Sequence, residues 1–218
     1  MIIGLVLLGL VVVLLFLGIA QRVFKSFGLS YWLAFVVVGA LIGSAFIPTF
    51  TANGVSVCVA GFITPIIAAA VFFVLSYRSG DLWRAVITWA AVLASYVAVW
   101  VILPRFLGGT ATAAISGVLC GIVAFAVGRT RVSVLASTFG GMALGDIIAS
   151  AVSVYAYGNV LRIGAAAAFD AIIIASVLAV GMFEATSAIK RAVNVRNRAL
   201  TEVAEEFDPD EYKKYFDE

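Results

Sequence analysis

The sequence contains no histidine. That absence excludes histidine-based nucleophilic triads, histidine-ligated zinc or haem, and the usual neutral-pH proton shuttle, so any chemistry falls to carboxylates, hydroxyls, thiols or backbone. Charge is scarce too: Asp, Glu, Lys and Arg make up 12% of the 218 residues, well short of the roughly 25% usual in soluble domains. The two cysteines, Cys58 and Cys120, lie alone in apolar sequence. They lack the paired spacing of a metal site or a disulfide framework and read as small core residues, so neither a metal nor a cofactor is expected. Basic residues form no face or stripe, which argues against a nucleic-acid partner.

What the chain has in abundance is apolar sequence, 64% of it by count. This is the composition of an all-α, polytopic membrane protein, a helix bundle whose first partner is the lipid bilayer. Seven stretches approach the ~20 residues that cross a bilayer: residues 2–20, 31–46, 55–77, 85–103, 111–127, 132–157 and 163–188. The first is followed, not preceded, by the charges Arg22 and Lys25, so it reads as a retained helix with its N-terminus outside. Turns are expected at residues 28–30, at Pro48, at 104–109 and near 158–162. The third stretch carries Gly61, Thr64 and Pro65 in its first third. Proline removes a helical hydrogen bond and crowds the preceding turn, which predicts a kinked or broken third helix. Gly117 and Gly121, four apart in the fifth stretch, offer a small-residue face for helix contact within one chain or in a homo-oligomer.

Orientation follows from the loops. With the N-terminus outside, twelve of the fourteen Lys and Arg residues fall inside and only Arg105 and Arg162 outside, as the positive-inside rule requires. Residues 1–188 then form a transmembrane domain of the cell (plasma) membrane, and residues 189–218 a polar cytoplasmic tail. That tail is expected to continue as helix to about Phe207 and to break at Pro209.

Two carboxylates interrupt the apolar pattern, Asp146 in the sixth stretch and Asp170 in the seventh. An ionisable residue inside a membrane segment is costly enough to count as a candidate functional site. Treated as a helical hairpin turning near residue 160, the two stretches put Asp146 and Asp170 roughly 21 and 15 Å from the turn, about one helical turn apart in depth. Asp146, Ser150 and Ser153 share one helix face by their i, i+4, i+7 spacing. Glu184 lies near the cytoplasmic end and reads as an interfacial residue.

Three uses of the pair are open. Asp146 and Asp170 could bind a proton or a monovalent cation, with Ser150 and the Thr64-Pro65 break completing a substrate or ion site, as in secondary transporters. They could activate a water for peptide hydrolysis, one carboxyl protonated and the other ionised. Or each could cap hydroxyls and bridge helices within a membrane scaffold. The hydrolytic reading has a motif behind it: Ala143-Leu144-Gly145-Asp146 resembles the Gly-x-Gly-Asp signature of aspartyl intramembrane proteases, and Phe169-Asp170 resembles their Tyr-Asp element. Thr64-Pro65 can be set against their proline-containing motif. Here Ala143 replaces the first glycine, Phe169 replaces the tyrosine, and the two aspartate helices come in reversed order.

As a whole, residues 1–188 resemble a prokaryotic family of integral membrane proteins catalogued only as a domain of unknown function. The likeness rests on Gly18-Ile19-Ala20-Gln21-Arg22-Val23-Phe24, on residues 54–65 ending in Thr64-Pro65, on Gly145-Asp146-Ile147-Ile148, and on Ile163 to Ile172 with Phe169-Asp170. It implies a shared helical fold with Ile-Pro, Gly-x-Asp and Phe-Asp elements and no particular activity; Ala167 and Ala171 stand where the family pattern has glycine. The leading expectation is a small proton- or cation-coupled transporter or permease built on Asp146 and Asp170.

Overall fold

In hydrocarbon every backbone polar group must be bonded internally, so long apolar stretches fold as helices. The computed structural model follows that rule and describes residues 2–17, 31–52, 54–103, 106–128, 130–157 and 161–206. Its elements in order are α1 (Ile2–Phe16), α2 (Tyr31–Ser44), β1 (Phe50–Ala52), β2 (Val55–Val57), a π-helical turn (Val59–Ile63), α3 (Thr64–Arg78), α4 (Leu82–Ile102), α5 (Gly109–Val127), α6 (Arg131–Tyr157), β3 (Leu161–Ile163) and α7 (Ala166–Glu206). Among the described residues five helices are long and apolar enough to cross a membrane: Val59–Arg78, Leu82–Ile102, Gly109–Val127, Arg131–Tyr155 and Ala166–Arg198. α1 and α2 are shorter apolar helices. The expected turns at 28–30, 104–105 and 158–160, the charges Arg22, Lys25 and Arg129, and the break at Pro209 lie outside the described residues.

Two spans begin differently from the sequence expectation. Helix in the third starts at Val59 and in the seventh at Ala166, because residues 55–57 and 161–163 are spent on strands. β1 pairs antiparallel with β2 through Gly54, whose φ of 78° places it in the left-handed region that glycine tolerates. β2 then pairs parallel with β3, Val55 opposite Leu161 and Val57 opposite Ile163. Pro65 is the second residue of α3, directly after the π-helical turn.

The chain divides into two units, Met1–Gly181 and Met182–Glu218. Within the first, α6 is the hub: 78% of its apolar window is buried, against 28% for α4. Glycine makes that possible. A Cβ on Gly141 would lie 3.0 Å from the carbonyl oxygen of Trp89, and one on Gly145 2.8 Å from the ring of Tyr96, so α4 and α6 meet almost backbone to backbone. α5 docks on α7 likewise, through the Gly117 and Gly121 face. A Cβ at Gly117 would sit 2.8 Å from the carbonyl oxygen of Ala171. The second unit continues α7 to Glu206. There Thr186 donates to the carbonyls of Met182 and Phe183, and Ile189, Val193 and Val195 are exposed.

Between α6 and α7, Thr138 and Ser176 are hydrogen-bonded at 3.1 Å. Each hydroxyl also lies within hydrogen-bonding distance of a carbonyl on its own helix, Thr138 of Leu135 and Ser176 of Ile172. Because each proton has a second acceptor, a Thr138→Val, Ser176→Ala double-mutant cycle read by unfolding in detergent is expected to give a coupling of about 0.6 kcal/mol, typical of buried bonds in membrane proteins. A coupling above about 2 kcal/mol would show that the pair holds the helices together.

Candidate functional site

Asp146 is buried, and both of its carboxylate oxygens are engaged. Oδ2 accepts the backbone N–H of Gly164 at 2.6 Å, and Oδ1 accepts the hydroxyl of Tyr96 at 3.2 Å. The local sequence explains the arrangement. Gly145 lacks the side chain that would collide with the Tyr96 ring, so the phenol on α4 can reach the carboxylate of the next residue on α6. One turn further along α6, Ser150 donates to the carbonyl of Arg162 at 2.7 Å. Residues four apart on a helix rise about 6 Å, and two residues of strand advance about 6.6 Å. Asp146 and Ser150 therefore match Gly164 and Arg162 and hold the extended segment against the helix. Ser150, expected from its i, i+4 spacing to accompany the carboxylate, gives its hydroxyl to the strand instead.

The same segment is gripped from its other side. Cys58 N–H donates to the carbonyl of Ile163 at 2.9 Å, continuing the β2–β3 pairing into the π-helical turn. Gly164 takes a φ of 70°, and a Cβ on it would lie 2.7 Å from that of Phe62. Gly61 meets Gly164 so closely that a Cβ at position 61 would be 2.6 Å from the Gly164 carbonyl carbon. Two interrupted helix starts, those of α3 and α7, thus cross glycine on glycine beside Asp146.

Asp170 has a different partner. Its Oδ1 accepts the N–H of Gly4 at 2.8 Å. Gly4 lies in the first turn of α1, where N–H groups have no partner within the helix. A Cβ on Gly4 would lie 2.9 Å from both Asp170 Oδ1 and the Phe169 ring, so glycine is what lets α1 seat on the Phe169-Asp170 pair. Asp146 is placed similarly with respect to α7: Gly164 lies just before that helix, whose first bonds run from Ala168 and Phe169 to the carbonyl of Ala165. Asp170 thus sits at the positive end of the α1 dipole, a favourable place for negative charge, while Asp146 holds the residue two positions ahead of α7.

The Thr138–Ser176 bond fixes the register of α6 and α7. Six residues back from Ser176, Asp170 falls level with Leu144, two residues from Asp146 and about 3 Å from it in depth at 1.5 Å per residue. The two carboxylates therefore fall at similar levels along the paired helices. Neither carboxylate lies on the line of contact, however. At 3.6 residues per turn Asp146 is about 80° around α6 from Thr138, and Asp170 about 120° around α7 from Ser176. Thr64 and Pro65 are half-buried and buried at the start of α3, and hydrogen bonds to Asp146 come from Tyr96 and Gly164, not from them. Gly4, Tyr96 and Gly164 were not singled out in the sequence. Tyr96, a phenol inside an apolar helix, was the legible one.

Chemically, Asp146 is a carboxylate held by two neutral donors, with no Lys or Arg paired to it among the described residues. No group of three or more Cys, Asp or Glu side chains that could hold a metal ion occurs among the described residues either. Fold and site together define a helical bundle with five helices, among the described residues, fit to cross a membrane, and two buried carboxylates, one bonded to the first turn of α1 and the other to the residue after β3. Compared with known proteins, the chain matches no family model, no curated protein and no solved structure.

Proposed function

We propose that this protein is a small proton- or cation-coupled transporter or permease of a prokaryotic plasma membrane, with Asp146 and Asp170 as its ion-binding carboxylates. One observation carries the reading: strands β2 and β3, each just ahead of a membrane-length helix, pair with one another, and the residue that follows β3, Gly164, bonds to the buried Asp146 carboxylate. Irregular backbone at membrane depth is tolerated where protein buries it or where it lines a cavity, and broken helices of this kind build the ion and substrate sites of secondary transporters. In this reading the π-helical turn ahead of Pro65 is the break of the third span, and Thr64 and Pro65 line the substrate path. Counting α1 and α2 as spans gives seven, with the N-terminus outside, the tail cytoplasmic and a homo-oligomer permitted. Kinship with the prokaryotic membrane family suggested by residues 54–65, Gly145-Asp146 and Phe169-Asp170 belongs to the same proposal. The protease reading finds less support, since a dyad shares one water between its carboxyls, whereas both Asp146 oxygens are taken by Gly164 and Tyr96.

The test is proton flux into vesicles reconstituted with the full chain and loaded with a pH-sensitive dye, under an imposed pH or sodium gradient, with amino acids, sugars and carboxylic acids added in turn. Wild type is expected to couple flux to at least one of these solutes. Asp146→Asn and Asp170→Asn should each lower the coupled flux at least about tenfold, the equivalent of losing about 1.4 kcal/mol at the coupling step. Unchanged flux in both variants would reject the assignment.

A further inference from the structure

The segment from Leu161 to Gly164 is fastened in an unusual way. Leu161 and Ile163 are half-buried and Arg162 is exposed, so little apolar burial keeps the strand in place. It is held by hydrogen bonds on two sides. Toward β2 and the π-helical turn these are backbone to backbone and independent of charge. Toward α6 they are two side-chain hooks, the neutral Ser150 and the carboxylate Asp146. Its closest crossing, Gly61 over Gly164, is backbone on backbone, with no side chain of either residue to interlock.

We propose that this segment is a latch, closed by the charge of Asp146 and released when a proton neutralises it. For its role the latch rests on the transport reading, whose proton-coupled step it identifies; as a device it rests on the geometry alone. Hydrogen bonds to an ionised acceptor are roughly twice as strong as neutral ones, so a proton on Asp146 weakens the α6 hook and leaves the strand on its β2 bonds and on Ser150. The groups around the carboxylate favour a proton as the neutraliser. From α4 comes the hydroxyl of Tyr96, a donor. From α5 comes Cys120, turned to the carbonyl of Val92. The strand brings Arg162, exposed and bound to Ser150 through its carbonyl, and the π-helical side brings Cys58, bound to the strand. From α7 comes Asp170, which caps α1. None of these places a cation on Asp146.

The chain carries its own reporters. Cys58 is buried where the strand is fastened, and Cys120 is fully buried between α4 and α5, so the second thiol records general loosening. The experiment is alkylation of the full chain in lipid nanodiscs by a water-soluble maleimide at one fixed pH, with rates read at each cysteine by mass spectrometry. Asp146→Asn keeps an acceptor for the Gly164 N–H but removes the charge. It is expected to raise the Cys58 rate about tenfold, or about 1.4 kcal/mol in the opening equilibrium, with Cys120 unchanged. Asp146→Glu, which keeps the charge, should stay within about twofold of wild type. Equal Cys58 rates in wild type and Asp146→Asn, or Cys58 and Cys120 rising together, would overturn the latch.

If Asp146→Asn fails to fold, hydrogen exchange of residues 161–166 in the wild type decides. Protection corrected for intrinsic rates should fall as the pH is lowered, and constant protection rejects the proposal. The two readings separate cleanly. Exposure of Cys58 with unchanged solute-coupled flux keeps the latch and rejects Asp146 as a coupling carboxylate, whereas lost flux without Cys58 exposure keeps the coupling role and rejects the latch.

Discussion

Replacing Gly61 by alanine is expected to leave no folded, monodisperse protein. The Cβ would fall 2.6 Å from the carbonyl carbon and 2.9 Å from the Cα of Gly164, and neither side can yield. Gly164 is held by Asp146 and by a positive φ, and the π-helical turn is held by the bond from Cys58 to Ile163. A single methyl group must therefore separate the two interrupted helix starts, which breaks several hydrogen bonds at once. The cost falls in the exceptional range, above about 4 kcal/mol. Gly39→Ala is the matched control. Nothing lies within 4 Å of its added Cβ, and removing glycine from a helix interior is expected to stabilise by up to about 1 kcal/mol. Size-exclusion profiles and thermal unfolding in detergent read both outcomes, and a Gly61→Ala protein as stable as wild type would refute the crossing.

Tyr96 should separate packing from hydrogen bonding. Its side chain is fully buried, its ring meets Gly145, and it lies 6.0 Å from the ring of Trp100. Tyr96→Ala opens a cavity between α4 and α6 and is expected to cost about 3–5 kcal/mol. Tyr96→Phe keeps the packing and loses one donor to Asp146, a change of about 0.6 kcal/mol and at most about 1.7 kcal/mol by the measure of buried bonds in membrane proteins. If Tyr96→Phe cost as much as Tyr96→Ala in the same unfolding assay, the hydroxyl and not the ring would be what holds α4 to the site.

Most of the helical fold was legible because hydrocarbon permits little else. The apolar runs, the positions of Arg and Lys between them and the small-residue spacing of Gly117 and Gly121 all follow from local composition. The sheet was harder. Asn53-Gly54 is a hairpin signal, but it sits beside an apolar stretch long enough to be read as helix from Val55. β3 gives no such signal, since three residues after a helix carry too little pattern to reveal a parallel partner 106 positions away. The two aspartates were legible by their cost in an apolar setting. Their partners were not. Gly4 and Gly164 contribute backbone N–H groups, which any residue but proline possesses, so only the assembled structure shows why glycine stands there.

The long reach of the β2–β3 pairing has a consequence for how the chain is made. When α6 enters the bilayer, the Asp146 carboxylate has Tyr96 available on α4, but Gly164 has not yet been delivered. A carboxylate left in hydrocarbon without its donors is expensive. Insertion of α6 is therefore expected to wait for α7, the two helices leaving the translocation machinery as a pair, and β3 closes last, since it must find β2 laid down about a hundred residues earlier. A chain truncated after residue 157 should accordingly be held at the machinery and degraded, even though it contains every helix that packs against α6 from the N-terminal side.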